Sequence, residues 1–392
     1  MTSPAEVVIL SAEYSDISRR SHLTIGQLSV QAVTRAVQSA GIRMDEIDGL
    51  SNFPSPSRPG AGTLDGLDIV SPVYMAQALR IPTLRWVTSL TRGSYTASIA
   101  EATNALRAGA CKYALVWRAM KNPPGQYGRV PPGPVGGDDA FTAPYGFNNE
   151  VVKASMIYTR YMDKYGTTRS DMAEFVVSNR AKAAANPKAV FYDVPLSRDE
   201  YMDARMIADP LSLFDCDMAI DGCAAIVMTL RENAGSGEHD PVGVAAALNL
   251  GIPPSRRNFY VLEEFQEAAK SVADRTLEAC GMSEADLTHL EFYDGFVYFP
   301  WLWMEAFGMA KEGEAASLMT EADSGISGRR PLNTGGGSLG MGRIHGGAQV
   351  VEAVHQIQKI AGPRQIRSPG PTIITSGSPL SGCGSLVFVP LE

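Results

Sequence analysis

The chain has 392 residues, 45% hydrophobic and 19% charged, which is enough apolar material for a large core shared between two or three structural units. A formal net charge of -8 and a pI near 5.3 argue against a broad basic face, so nucleic acid and anionic lipid are not expected partners. No run reaches the roughly 18 apolar residues of a membrane-crossing helix, and MTSPAEVVIL lacks a basic region ahead of a long apolar one; a cytoplasmic protein without membrane insertion is expected.

Taken in chain order, the first informative segment is AVQSAGIRMDEIDGLSNF, ending at Phe53. Its layout returns in TLEACGMSEADLTHLEFY, ending at Tyr293: an alanine-containing helix, a small residue and glycine, an acidic turn, then an apolar run. Gly41 matches Gly281, Leu50 matches Leu290 and Phe53 matches Tyr293, each at an offset of 240 (281 − 41 = 240). Each glycine sits where a helix C-cap needs a left-handed backbone. A second helix-to-strand unit follows in ASIAEATNALRAGACKYALVW, with Gly109 as the cap and Lys112 to Trp117 as a buried strand. The pattern recurs near the end, with VVEAVHQIQKIAG as helix and PTIITSG as strand. Repeated helix-strand alternation predicts α/β layers.

The segment from Met120 to Asp215 differs in kind. It opens with the Pro/Gly-rich KNPPGQYGRVPPGPVGG and continues with two helical stretches, VVKASMIYTRYMDKYG and SDMAEFVVSNRAKAAANP, the second starting around Ser170 and Asp171. It is expected to be an insertion capping a cleft. The chain thus divides into a first half at residues 1–235, carrying an insertion over about 120–215, and a second half at 240–392.

The order of these parts resembles the thiolase superfamily over essentially the whole chain. The most specific element is NTGGGSLGMGRIHGGAQ, Asn333 to Gln349, which is similar to the thiolase loop N-x-x-G-G-x-x-x-x-G-H-P-x-G-A. Aligned from Gly336 and Gly337, Gly342 falls on the glycine before the family's catalytic histidine and Arg343 on the histidine itself. His345 lies two residues on, and its continuation H-G-x-x-x-x-V-E-A-V-x-Q-I resembles the thiolase-like lipid-transfer-protein branch that includes the steroid side-chain aldolases. Tyr293-Asp294-Gly295-Phe296 resembles that branch's Y-D-x-F segment, which carries a catalytic tyrosine. Arg343 departs from the branch, whose aldolases have a second functional tyrosine there.

The resemblance implies a thiolase fold: two duplicated α/β halves in a layered α-β-α-β-α arrangement, with a helical and loop insertion in the first half. It implies retro-aldol cleavage of a 3-hydroxyacyl-CoA with a steroid-side-chain-like or other bulky acyl group. A non-catalytic acyl-CoA or lipid-binding subunit and a cysteine-independent acyl transferase are the alternatives. Coenzyme A thioester is then the substrate and no further cofactor is called for; a homodimer is implied, as is a small OB-fold and zinc-ribbon partner, separate or fused to a hydratase.

Tyr293 is the expected base, although a phenol with pKa near 10 needs a neighbouring cation such as Arg343 to favour its anion. His345, Arg343 and Asn333 are candidates at the thioester oxygen; His345 either donates to it, exchanges a proton or hydrogen-bonds within the loop, and Asp294 is expected to orient backbone or Tyr293 and is a weaker catalytic candidate. Gly336, Gly337, Gly342 and Gly346 are expected to let backbone approach the thioester or its pantetheine arm. Where thiolases place a nucleophilic cysteine at a helix start, this chain has Thr91 or Arg92, and Ser94 has no base beside it. Cys111, Cys216, Cys223, Cys280 and Cys383 form no CxxC pair and read as buried small hydrophobes. Gly335, Gly337 and Gly340 spell GxGxxG, but the polar SGRRPLN before them and the early Glu352 exclude a dinucleotide fingerprint. Asp215 and Asp217 read as turn residues and no metal site is expected. FVYFPWLWMEAFGM, Phe296 to Met309, is either a core helix or a lining for a bulky apolar pocket.

Overall fold

The computed structural model describes residues 5–53, 63–90, 94–121, 136, 140–147, 149–235, 237–250, 261–379 and 382–391. The strands are β1 (Val7–Tyr14), β2 (Gly49–Asn52), β3 (Trp86–Ser89), β4 (Tyr113–Met120), β5 (Met206–Ala208), β6 (Leu211–Ser212), β7 (Gly222–Leu230), β8 (Val242–Leu250), β9 (His289–Glu291), β10 (Thr372–Ser378) and β11 (Gly382–Pro390). The helices are α1 (Ile25–Ser39), α2 (Pro72–Leu79), α3 (Tyr95–Arg107), α4 (Glu150–Tyr165), α5 (Arg169–Ala184), α6 (Arg198–Met202), α7 (Leu262–Cys280), α8 (Phe299–Ala306), α9 (Glu321–Ser324), α10 (Gly337–Gly340) and α11 (Gly347–Ile357).

Nine strands are hydrogen-bonded in the order β3-β2-β4-β7-β1-β8-β11-β10-β9. The middle of this order is its weakest joint. β1 and β8 pair only through Val8 with Gly243 and Ile9 with Val242, whereas β1 and β7 run antiparallel along their length. The sheet is therefore two strand layers joined at an edge. β4 is buried at every position, and β1 and β7 nearly so, which is why they read as continuous apolar runs and not as alternating ones.

Three apolar cores account for the layers. On the outside of the first half, Ile25, Val33, Ala36 and Val37 of α1 pack against Leu115 and Trp117 of β4 and Ala225 and Val227 of β7. In the middle, Tyr95, Ile99 and Leu106 of α3 and Val350, Val351 and Val354 of α11 touch strands of both halves, among them Ile226 of β7 and Phe388 of β11. On the far side, Phe265, Ala269 and Val272 of α7 and Trp301 and Trp303 of α8 cover Val387 of β11. Helix, strand, helix, strand, helix is the thiolase order of layers.

The internal repeat is visible in local geometry. Gly41 and Gly281 both hold left-handed backbone, at φ 68° and 65°, and single-turn helices follow at Met44–Glu46 and Glu284–Asp286. Leu50 of β2 and Leu290 of β9 are fully buried, each in a strand paired in parallel with the next long strand of its half.

The insertion differs from its expectation in two ways. Helix α5 starts one turn earlier than Asp171: Thr168 is the N-cap and Asp171 closes a capping box from the third helical position. And α4 is no free-standing cap, because Tyr158 and Tyr161 stack near Trp301 and Tyr161 hydrogen-bonds Glu305, fusing it into the core of the second half. Trp301, Trp303 and Phe307 are buried at 0%, 0% and 3% exposure, so these aromatics build core. Of the Pro/Gly-rich run, only Lys121 and Gly136 fall among the described residues. No helix among the described residues is long and apolar enough to cross a membrane.

A Cβ at Gly281 meets nothing within 4 Å, so Gly281→Ala isolates the backbone cost of the left-handed cap. The substitution is expected to lower the unfolding free energy by ~1 kcal/mol, measured by urea titration, with no change in ligand binding.

Candidate active site

Three stretches far apart in sequence meet because a short extended segment, residues 216–218, is hydrogen-bonded on both sides. On one side the Asp217 amide donates to the Gly295 carbonyl at 3.1 Å and Cys216 bridges Phe296. On the other side the Met218 amide donates to the Ser338 carbonyl at 3.2 Å, and the Arg343 amide to the Met218 carbonyl at 2.9 Å. Asp217, Tyr293 and Arg343 converge as a result. The Tyr293 hydroxyl donates to Asp217 Oδ2 at 3.2 Å, and Arg343 Nε stands 3.8 Å from the same oxygen. Gly295 lies under the Tyr293 ring, where any Cβ would come within 2.9 Å of three ring and hydroxyl atoms.

This arrangement revises two expectations. Asp217 is no turn residue: it is the hydrogen-bond acceptor of the tyrosine. And Arg343 does not make Tyr293 a ready base. Burial, together with the Asp217 charge, holds the phenol well above its usual pKa of 10.0 and outweighs the opposite pull of Arg343. Tyr293 is thus a neutral phenol whose hydroxyl is hydrogen-bonded to a carboxylate.

His345 stands on the cationic side. Its Nδ1 lies 2.8 Å from an Arg118 amino nitrogen, its carbonyl accepts from Ser376 Oγ at 2.9 Å, and its ring is 6.3 Å from that of Phe53. Burial, then the charges of Arg118 and Arg343, push the imidazole well below its ordinary pKa of 6.5, so it is neutral at neutral pH. Arg118 itself is 1% exposed at the end of β4 and donates to the Phe53 carbonyl and to Met120 Sδ.

Asp294, by contrast, faces away from this cleft and organises the loop. Its carboxylate accepts from the amides of Ser338 at 2.6 Å and Leu339 at 3.2 Å, from Asn179 Nδ2 at 3.0 Å and from Gln349 Nε2 at 2.8 Å. Burial pushes the carboxyl up to about 7, against the backbone donors that favour its charge. Four donors leave it a holding role. Asn333 is engaged in the loop as well, its Nδ2 donating to the Phe292 carbonyl at 2.9 Å, so that it ties the loop to the end of β9. Helix α5 clamps the same loop from the insertion side. Asn179 donates to the Gly336 carbonyl at 2.8 Å, Lys182 to the carbonyls of Ser324 and Leu332 at 3.0 and 2.8 Å, and Asn186, just past the helix, to the Gly335 carbonyl at 3.0 Å.

The glycines serve close approach of the loop to the rest of the protein. A Cβ at Gly336 would strike Ala183 of α5, at Gly337 the Asp294 carboxylate, at Gly342 Ile220 and at Gly346 Ser376. They are needed so that the loop can be buried against α5, Asp294 and β10.

All five thiols are free and buried, and burial pushes Cys111, Cys223 and Cys383 up to about 12 and Cys216 further, so none is a thiolate at neutral pH. Ser94 is 2% exposed and shares a hydrogen bond with Thr96 Oγ1 at 2.7 Å, while Thr91 and Arg92 lie outside the described residues. Glu352 pairs with Arg364 at 3.0 Å in the core. Among the described residues no group of three or more His, Cys, Asp or Glu side chains could hold a metal ion.

Sequence reasoning missed Arg118, Asn179, Lys182 and Gln349. Each is a polar residue inside an apolar helix or strand pattern, and its full burial, near 0–3%, is the only mark that sets it apart. Asp294→Ala strands the buried amides of Ser338 and Leu339 and removes one acceptor each from Asn179 and Gln349; it is expected to cost ~3 kcal/mol in urea unfolding, with loop-centred loss of hydrogen-exchange protection at Ser338 and Leu339.

Residues 254–377 match the family described as Thiolase C-terminal domain-like. The chain is 30% identical over 367 residues to the 17-hydroxy-3-oxo-4-pregnene-20-carboxyl-CoA lyase of Mycobacterium tuberculosis, covering 90% of this chain and 91% of that protein. It is 29% identical over 389 residues to a steroid side-chain-cleaving aldolase of Thermomonospora curvata, covering 95% of each. Among solved structures, the Ltp2-ChsH2(DUF35) aldolase superposes with a TM-score of 0.85 at 26% identity over 99% of this chain and 98% of that one. Human mitochondrial 3-ketoacyl-CoA thiolase shares the fold, with a TM-score of 0.68 at 11% identity over 99% of both chains. The chain belongs to the thiolase superfamily, in the thiolase-like lipid-transfer-protein branch that contains the steroid side-chain-cleaving aldolases.

Proposed function

We propose that this protein is a carbon-carbon lyase that cleaves a 3-hydroxyacyl-CoA by a retro-aldol reaction, releasing a shortened acyl-CoA and a ketone or aldehyde, with no covalent acyl-enzyme. The observation that carries the reading is the Tyr293 hydroxyl donating to buried Asp217 beside Arg343 and His345. The substrate β-hydroxyl gives its proton to Tyr293 as the phenol passes its own to Asp217. The Cα–Cβ electron pair moves onto the thioester as an enolate, the β-carbon becomes the carbonyl, and the proton returns to Cα. Net consumption is substrate alone: no free CoA, water or oxidant enters.

The developing negative charge lies on the thioester oxygen, and donors fixed before the reaction stabilise it at no cost of reorganisation. Arg343 and His345 supply them. A thiolase needs an ionised cysteine for its acyl-enzyme; five buried, protonated thiols fit a reaction that needs none. No cofactor beyond the CoA of the substrate has a role in these steps.

A bulky acyl group follows from the kinship with enzymes named for steroid side chains. A homodimer and a small partner protein belong to the same proposal. Among the described residues the sheet ends on β3, whose Val87 is 47% exposed, an edge suited to a second copy. The partner is suggested by the two-component aldolase that this fold matches.

The test is to incubate the protein, alone and with such a partner, with a panel of 3-hydroxyacyl-CoAs without free CoA, and to look for the shortened acyl-CoA and carbonyl fragment by mass spectrometry. Cleavage is expected, with Tyr293→Phe reducing turnover by about 10²- to 10⁴-fold and leaving binding intact. Binding without cleavage in both preparations would refute the reading in favour of a carrier.

A further inference from the structure

We infer that Arg118 is a positioning residue that fixes His345 in the tautomer with its proton on Nε2, making the imidazole a neutral hydrogen-bond donor to the thioester oxygen and not a proton carrier. The inference deepens the aldolase reading, and rests on it for the identity of that oxygen.

The argument is one of donors and acceptors. A guanidinium has five N–H donors and no acceptor. Its amino nitrogen lies 2.8 Å from His345 Nδ1, so Nδ1 must accept, and in a neutral imidazole the proton is then on Nε2. Protonating Nδ1 would set it against the Arg118 donor at 2.8 Å, with the charge of Arg343 adding to the cost. Nε2 makes no hydrogen bond with the described residues and is the free end of the ring.

Arg118 is built to hold this position. It stands near the end of β4, paired to β7 opposite Ala224, with its guanidinium 4.6 Å over the Phe53 ring and further bonds to the Phe53 carbonyl and Met120 Sδ. It is 1% exposed and among the described residues no carboxylate lies within ion-pair distance, so its charge is spent on His345 and the surrounding carbonyl and sulfur. Burial lowers it to about 9, still cationic at neutral pH. His345 is constrained from the backbone as well. It has φ 47°, a left-handed conformation unusual for a histidine, and Ser376 holds its carbonyl. The charged and titratable groups around the ring are Arg118 from β4 and Arg343 from its own loop, with Cys223 of β7 and Tyr293 beside Arg118, and Asp217 paired to Arg343. The two arginines that act on the ring both disfavour its charged form.

The experiment is ¹⁵N NMR of the full-length protein labelled at its five histidines, with the His345 signals identified as those lost in His345→Gln. From about pH 5 to 8 the wild type is expected to show the neutral pattern with the proton on Nε2. A proton on Nδ1, or titration near pH 6.5, overturns the inference without recourse to any Arg118 variant. Arg118→Met is expected to mix the tautomers and to raise the imidazole pKa toward its ordinary value. An acid limb then appears in kcat/KM, which falls at least about tenfold. Arg118→Lys, which keeps a cationic donor, is expected to restore the tautomer and remove the limb, and it remains informative if Arg118→Met does not fold. An unchanged His345 spectrum in folded Arg118→Met contradicts the inference. Because the spectra need no turnover, a failure of the aldolase reading would show as absent cleavage with the tautomer intact, which separates the two.

Discussion

The hydrogen bond from Tyr293 to Asp217 is the interaction on which the site depends. A phenol alone is a poor base at neutral pH, and burial here makes it poorer. Joined to a carboxylate it becomes a relay, because the proton it accepts is matched by one it gives away. That pairing requires residues 217 and 293 to be held within 3.2 Å although they come from different halves of the chain. The double-sided backbone pairing of residues 216–218 supplies the constraint, and the same segment anchors Arg343. Asp294, Asn333, Gln349 and the α5 clamp all serve to keep the far side of this stitch, the glycine-rich loop, in one place.

Around that bond the cleft is divided by charge. In the proposed reaction Asp217 and the Tyr293 oxygen are the proton-accepting side, while Arg343 and His345, the latter positioned by Arg118, are the side that stabilises an oxyanion. A retro-aldol cleavage asks for this division, since it removes a proton from one end of the substrate and develops negative charge at the other. The thiolase scaffold already points its loops at a thioester. What has changed is the group doing the chemistry: the buried thiols are inert, and a tyrosine and an arginine occupy the reaction centre.

Much of the fold was legible because duplication and hydrophobic period are properties of the chain itself. The offset of 240 between Gly41 and Gly281 survives as two matching left-handed caps, and the buried strands read as apolar runs. Tyr293, Arg343 and His345 were legible from their motifs, and they do meet. Their partners were not. Arg118 closes an apolar strand and looks like a polar residue at its exposed end; only the approach of His345, 227 positions later, reveals it. Asp217 looks like turn chemistry until Gly295 on one side, and Ser338 through the Met218 amide on the other, give its segment two neighbours. The loop glycines announced close approach, but a sequence cannot say what approaches, and here it is Ala183, Asp294, Ile220 and Ser376. Asp294 reads from the sequence as orienting backbone or Tyr293, and what it orients is visible only in the fold, where four donors reach it from distant elements.

If Tyr293 and Asp217 work as a single proton-accepting unit, they must be non-additive in kinetics. The most direct measurement is a double-mutant cycle on the rate of carbon-carbon cleavage, comparing Tyr293→Phe, Asp217→Asn and the double variant. The account predicts that each single change costs nearly as much as both together, because either one breaks the relay. Losses that multiply in the double variant would mean the two residues act independently, and would contradict the relay.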